Sequence, residues 1–270
     1  MSKKEHHIIS LGGGVQSSTL LLMSARGVFG NNKPKLAIFA DTGWEPVSVY
    51  RYLDWLEEEA KKYDIKIVRT SRGNIRKDIL DKVRCGKRAA NMPLFTLDDN
   101  SGKKGMIMRQ CTHEYKIMAV RKEIRKQLGY GPRQHVKDKV KLYMGISTDE
   151  YLRAKPSRVK YIEHYYPLLD CGLSRQDCLA WMKEQGYPLP PKSSCIGCPY
   201  HSDRVWLEMK RNDKEAWQDA VEFDREIRNY PGLKGQAYLH RSCKPLDKVQ
   251  FNEYEQLDLF VNECEGMCGL

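Results

Sequence analysis

Several features are missing from this chain, and each absence excludes something. No run approaches the ~20 consecutive apolar residues that a membrane-spanning helix needs. The opening Met-Ser-Lys-Lys-Glu-His-His leads into no apolar leader segment, so neither export nor a membrane is expected and a cytoplasmic location is. There is no internal repeat and no low-complexity segment. The Gly-Lys-Ser/Thr ending of a Walker loop is absent, and so is a Gly-x-Gly-x-x-Gly fingerprint, which sets aside two common phosphate-binding loops. Residues 251–270 hold five acids and no lysine or arginine.

Basic charge and cysteine are plentiful. Over 270 residues, 46 lysines and arginines oppose 35 acids, a net charge of +11; without the acidic tail the first 250 residues carry +16. The excess is concentrated in residues 69–88, with eight bases and two acids, and in residues 116–141, with nine and two. A solvated surface accounts for such charge, and so does attraction to phosphate on a nucleotide or a nucleic acid. The nine cysteines are an odd number in a chain without an export signal, so a disulfide scaffold is not expected. Their positions must separate packing from metal binding and thiol chemistry.

The first half alternates strand and helix patterns. Apolar runs at residues 8–11, 35–40 and 65–68 read as strands, with helices over about 17–26 and 47–63 between them. That order predicts crossovers in a parallel sheet. After a basic helical stretch, residues 141–146 read as a further strand, and 161–169 as an extension of the sheet. The second half is helical and irregular. Ser174 and Asp177 form a capping-box start. A helical run is expected over about 203–229, and the last forty residues look irregular. The expected division is a nucleotide-binding α/β domain over 1–170 and a helical, cysteine-bearing region over 171–270 packed on it.

Gly12, Gly13 and Gly14 lie between the first strand and the first helix, followed by Gln16, Ser17 and Ser18. Glycines allow close backbone approach, and a helix N-terminus aims free N–H groups at an anion. A tight turn is the plain alternative. Asp41, Thr42 and Gly43 end the second strand, where ligands bind in open α/β sheets. Gly145 closes the later strand, with Glu150 and Arg153 after it; arginine suits phosphate, and a strand-end turn is the alternative. Cys195 and Cys198 form a C-x-x-C pair suited to zinc, an iron–sulfur cluster or a redox couple, or simply packed. Cys111 stands 84 residues earlier, with His113 beside it. Cys264 and Cys268 lie in the tail, as mobile thiols, a metal clip or a frayed end. Cys85 sits among Arg84, Lys87 and Arg88, a setting that favours a thiolate.

The glycine loop resembles the pyrophosphate loop of the PP-loop superfamily, usually Ser-Gly-Gly-x-Asp-Ser. Gly13, Gly14 and Ser17 match, Gly12 replaces the first serine and Gln16 the aspartate. With Asp41-Thr42-Gly43, the Cys-Thr-x-x-x-Lys of Cys111–Lys116, the Gly-Ile-x-x-x-Glu of Gly145–Glu150 and the C-x-x-C, the ordered set is similar to the phosphoadenylyl-sulfate (PAPS) reductase-like family, across roughly residues 7–200 plus the tail. The resemblance implies a doubly wound, mostly parallel sheet of the adenine nucleotide α-hydrolase-like type. It implies an adenine nucleotide, PAPS or ATP, with or without magnesium, on the loop residues, Asp41, Thr42, Gly43, Gly145, Glu150 and Arg153. It implies a [4Fe–4S] cluster, with zinc as the alternative, on Cys111, Cys195 and Cys198. Cys264 or Cys268 would attack a sulfonate sulfur, and a thioredoxin-type reductant would release sulfite. Two other functions compete: ATP-dependent sulfur insertion into tRNA or DNA, with a sulfur donor and a nucleic acid held by the basic surface; and a non-catalytic, zinc-stabilised nucleic-acid-binding protein.

Overall fold

The computed structural model describes residues 4–30 and 32–252. In chain order the elements are β1 (Glu5–Leu11), α1 (Val15–Ala25), β2 (Leu36–Asp41), α2 (Val47–Lys61), β3 (Lys66–Ser71) and α3 (Ile75–Cys85). Then follow β4 (Phe95–Asp98), β5 (Lys104–Met106), a π-helical turn over Thr112–Ile117 running into α4 (Met118–Gln127), β6 (Lys139–Met144) and β7 (Ile162–Tyr165). The short α5 (Pro167–Asp170), α6 (Arg175–Glu184), α7 (Asp203–Asn212), α8 (Lys214–Glu226) and β8 (Gly235–Tyr238) complete them. None of these helices is long and apolar enough to cross a membrane.

The main sheet has the order β3-β2-β1-β6-β7, and every neighbouring pair is parallel. It is the expected doubly wound sheet. Alternation in the strands divides its two faces. Ile9, Leu11, Ala37, Phe39 and Tyr143 point to one side and pack with α1, α2 and α6. Ile8, Ile38, Ala40, Leu142 and Met144 point to the other and pack with Val120 and Ile124 of α4. Strand order reverses between β1 and β6, the switch point at which such sheets leave a crevice beyond the strand ends. The glycine loop follows β1 there, and Gly145 follows β6.

All eleven residues of α1 are buried, as a helix enclosed between sheet and outer helices must be. A third core joins α3, α7, α8 and Leu239, and it encloses Trp44, Tyr115 and Cys195. It lies against an antiparallel sheet of order β5-β4-β8.

Two expectations are corrected. The single helix over 203–229 is two helices, broken at Asp213 (φ −135°, ψ 79°). The Asp213 carboxylate accepts the Ala216 N–H at 3.1 Å and so starts α8, the preference of a short acidic side chain for a cap over a helix interior. The closing stretch is also not wholly irregular, because β8 pairs with β4 from Phe95↔Tyr238 to Asp98↔Gly235. Four-residue strands without an apolar alternation leave little signal in sequence. The capping box at Ser174 and Asp177 forms as expected.

Candidate functional site

The glycine loop crosses from β1 to α1 with Gly13 at φ +77°, a region that side-chain-bearing residues rarely adopt. Gly14 caps α1 with no side-chain hydrogen bond, and the first turn contains no acid. No side chain of the helix's own cap or first turn thus offsets its N–H groups and positive dipole end. Ser17 turns its hydroxyl back onto the Gly14 carbonyl at 3.3 Å. Ser18 is fully buried, with Tyr52 beside it. Gly145 has a packing reason: a Cβ there would stand 2.7 Å from Ser17 N and Cα. Ser193 pins the loop from the far half of the chain, donating from Oγ to the Gly12 carbonyl at 2.6 Å.

Gln16 is 1% exposed, yet both polar atoms of its amide are matched. Nε2 donates to Ser147 Oγ at 3.4 Å and to Glu150 Oε2 at 3.3 Å, and Oε1 accepts from Arg175 at 2.7 Å. Arg153 pairs with the other oxygen of Glu150. At the neighbouring strand end, Asp41 Oδ1 accepts the Gly43 N–H at 2.7 Å and the Tyr50 hydroxyl at 2.9 Å. Gly43 takes φ +72°, and Asn74 donates to its carbonyl at 2.5 Å.

Cys111, Cys195 and Cys198 line one cleft of about 390 Å³, counted out to solvent, together with Thr42, Lys116 and Arg109. The three cysteines singled out by spacing therefore line the same cleft, beside Thr42 of the Asp-Thr-Gly turn. The weld is specific. Trp44 accepts the Ile196 N–H on its carbonyl at 2.8 Å. Gly197 lies flat on the Trp44 ring, where a Cβ would come within 2.1 Å of Cη2. Thr42 Oγ1 lies 3.1 Å from Cys195 Sγ and 3.2 Å from Glu45 Oε1. His201 Nε2 donates to the Cys195 carbonyl at 3.0 Å, which fixes the turn of the pair.

The electrostatics follow from burial. Burial, and then the Glu45 charge, push the Cys195 thiol well above its ordinary value, against the pull of Lys116. Burial likewise raises the Glu45 carboxyl, opposed first by Lys116. His201 is pushed down to about 3 by burial and is neutral. Glu45 Oε2 is buried without a hydrogen-bond partner. Among the described residues no set of three or more His, Cys, Asp or Glu side chains is arranged to hold a single metal ion. The lining of this cleft contains three cysteines and no His or carboxylate, and these are the residues there that could serve as soft sulfur ligands.

Other expectations fall outside the site. His113 is exposed and does not line the cleft. Cys85 is exposed, and its basic neighbours are each paired with a carboxylate: Arg84 with Glu226, Lys87 with Asp81, Arg88 with Glu114. Cys264 and Cys268 lie outside the described residues. Spacing assigned no role to Trp44, Glu45, Lys116, Arg175, Ser193, Gly197 or His201. Trp44, Glu45, Lys116 and Gly197 stand inside or next to the motifs, and Ser193 and His201 flank the C-x-x-C, but nothing local marks what each of them, or Arg175, touches.

No family model matches this chain, and no curated protein matches it. Among solved structures, 41 chains match. One is described as the U34-tRNA thiolase NcsA from Methanococcus maripaludis with its [4Fe-4S] cluster. It is 15% identical with a TM-score of 0.38, over 90% of this chain and 79% of that one. A likeness that distant assigns neither fold nor function.

Proposed function

We propose that this chain is a nucleotide-dependent, sulfur-handling enzyme of the PP-loop type, and that its reaction is ATP-dependent insertion of sulfur into a nucleic acid. The observation that carries this reading is that Cys111, Cys195 and Cys198 line one cleft together with Thr42. What supports it is that these cysteines and Thr42 lie at the sheet edge that also carries the glycine loop. The N-terminus of α1 receives the phosphates. ATP activates a carbonyl oxygen of the acceptor base as its adenylate and releases pyrophosphate; sulfur then replaces that oxygen, which leaves with AMP. Cys111, Cys195 and Cys198 would hold a [4Fe–4S] cluster, which supplies an iron not ligated by cysteine on which sulfur can be carried. Thr42 orients the Cys195 thiol, and Lys116 offsets the negative charge that gathers when the thiols ionise. The +16 body suits a polyanionic acceptor.

The test is anaerobic purification followed by iron and sulfide analysis, and an assay for AMP and pyrophosphate with and without added RNA or DNA. Iron and sulfide lost in C111S, C195S and C198S, with AMP formation that depends on nucleic acid, is the expected result. A colourless protein with stoichiometric zinc sinks it in favour of the zinc-stabilised binding protein. Sulfonucleotide reduction uses the same loop but needs Cys264 or Cys268. Sulfite release from PAPS that is lost in C264S or C268S would replace the sulfur-insertion reading.

A further inference from the structure

Gln16 has a consequence for how the loop meets phosphate. It is a neutral amide in the first turn of α1, almost fully buried, with its Oε1 committed to the guanidinium of Arg175 at 2.7 Å. Arg175 is the first residue of α6, and its backbone N–H is bonded to the Asp149 carboxylate. Its chain position is therefore held by Asp149 and its guanidinium by Gln16 at the start of α1, 159 residues away. Arg153 stands on the same group through Glu150.

The acids around the loop are meanwhile engaged. Asp41 holds the Gly43 N–H and Tyr50; Asp149 holds Ser147 and the Arg175 backbone; Glu150 holds Gln16 and Arg153. None of them is set with two others to chelate a divalent ion among the described residues. Around Gln16 the basic groups are the guanidiniums of Arg175, bonded to it, and Arg153, on the far oxygen of Glu150. A planar guanidinium with several N–H donors matches phosphate oxygens bidentately, which a point charge does not.

We infer that Arg175, aimed by Gln16, binds the polyphosphate chain of the nucleotide and supplies there the positive charge that a divalent cation would otherwise supply. This rests on the nucleotide-binding part of the reading above and names a contact which that reading does not contain. Gln16 is a positioning residue in this arrangement, and Arg175 makes the contact.

Calorimetric titration of the full chain with ATP, ADP and AMP, in excess EDTA and again with magnesium, tests it. The wild-type chain is expected to bind ATP in EDTA with a Kd within threefold of its value in magnesium. R175Q is expected to weaken ATP and ADP by about tenfold or more, the scale of one lost charge-assisted contact at ~1.4 kcal/mol per tenfold, while AMP changes less than threefold. ATP binding by R175Q within threefold of wild type overturns the inference, and so does wild-type binding that collapses tenfold in EDTA. Should R175Q fail to fold, R175K decides: it keeps the charge and loses the fork, and is expected to weaken ATP at least threefold with AMP unchanged. Equal ATP affinity in R175K then overturns the inference. A wild-type chain that binds none of the three nucleotides removes the nucleotide reading and this inference together, whereas ATP binding indifferent to Arg175 removes this inference alone.

Discussion

The contact between Gly197 and Trp44 gives a sharp test of how the thiol cleft is built. Gly197→Ala would place a methyl group 2.1 Å from Trp44 Cη2 and 2.7 Å from Cζ3. The ring cannot step aside: Phe223 packs on it at 4.5 Å between centroids, and its Nε1 donates to Asp219 at 2.5 Å. Overpacking of a filled core costs about 1–3 kcal/mol, and so short a contact belongs at about 3. Trp44→Leu alone removes a buried aromatic and leaves a cavity, at a cost of about 3 kcal/mol. Independent effects would sum to about 6 kcal/mol. In the double mutant the smaller leucine leaves room for the methyl group introduced at position 197, so the expected total is about 4 kcal/mol, a coupling of about 2 against the ~0.3–0.5 within which independent sites add. Urea unfolding of the four proteins measures this, with equal m-values as the check that the unfolded state is unchanged. Iron and sulfide content should fall in Gly197→Ala and partly recover in the double mutant, because the same methyl displaces Cys195 and Cys198. Penalties that add, or a neutral Gly197→Ala, would refute the packing of the C-x-x-C turn on Trp44.

Gly145→Ala meets backbone rather than side chain, with Ser17 N and Cα at 2.7 Å. A loss of about 2–3 kcal/mol corresponds to a melting shift of about 5–10 °C for a chain of this size, and a shift below about 2 °C would contradict it. Ser193→Ala deletes the buried bond to the Gly12 carbonyl; about 1–3 kcal/mol of stability should go, with weaker nucleotide binding by calorimetry, and unchanged values for both would show that the bond does not hold the loop. In reduced, metal-free protein the exposed Cys85 and Cys171 should be alkylated by iodoacetamide well before Cys195, whose thiol burial keeps protonated. Peptide mapping at pH 8 reads the order, and equal labelling rates would be decisive against it. The raised folded-state value also sets the sign of a stability effect. The contribution of Cys195 is complete below the free thiol's pKa of about 8.5 and is lost as pH rises toward the folded value, so the metal-free protein should melt progressively lower above about pH 8.5.

Much of the fold is legible in the sequence because its signals are local. Continuous apolar runs mark buried parallel strands, and β1, β2, β3 and β6 lie close to where those runs place them. The Ser174–Asp177 capping box is read from four residues. The break at Asp213 is hidden because α7 and α8 both carry helix-favouring residues, and only the cap at one position separates them. Strand β8 is hidden because four residues paired with a distant partner have too little pattern of their own.

The sequence by itself determined the class of sheet, the glycine loop, the Asp-Thr-Gly turn and the three cysteines worth watching, since residue type and short spacing carry that information. Only the tertiary structure decided that Cys111 shares a cleft with the C-x-x-C pair, that Trp44 is the surface on which Gly197 rests, and that Gln16 is bonded to Arg175. These contacts join residues 84 to 159 positions apart. Chain spacing says nothing about such meetings, which arise when separate helices and loops are packed over one sheet edge.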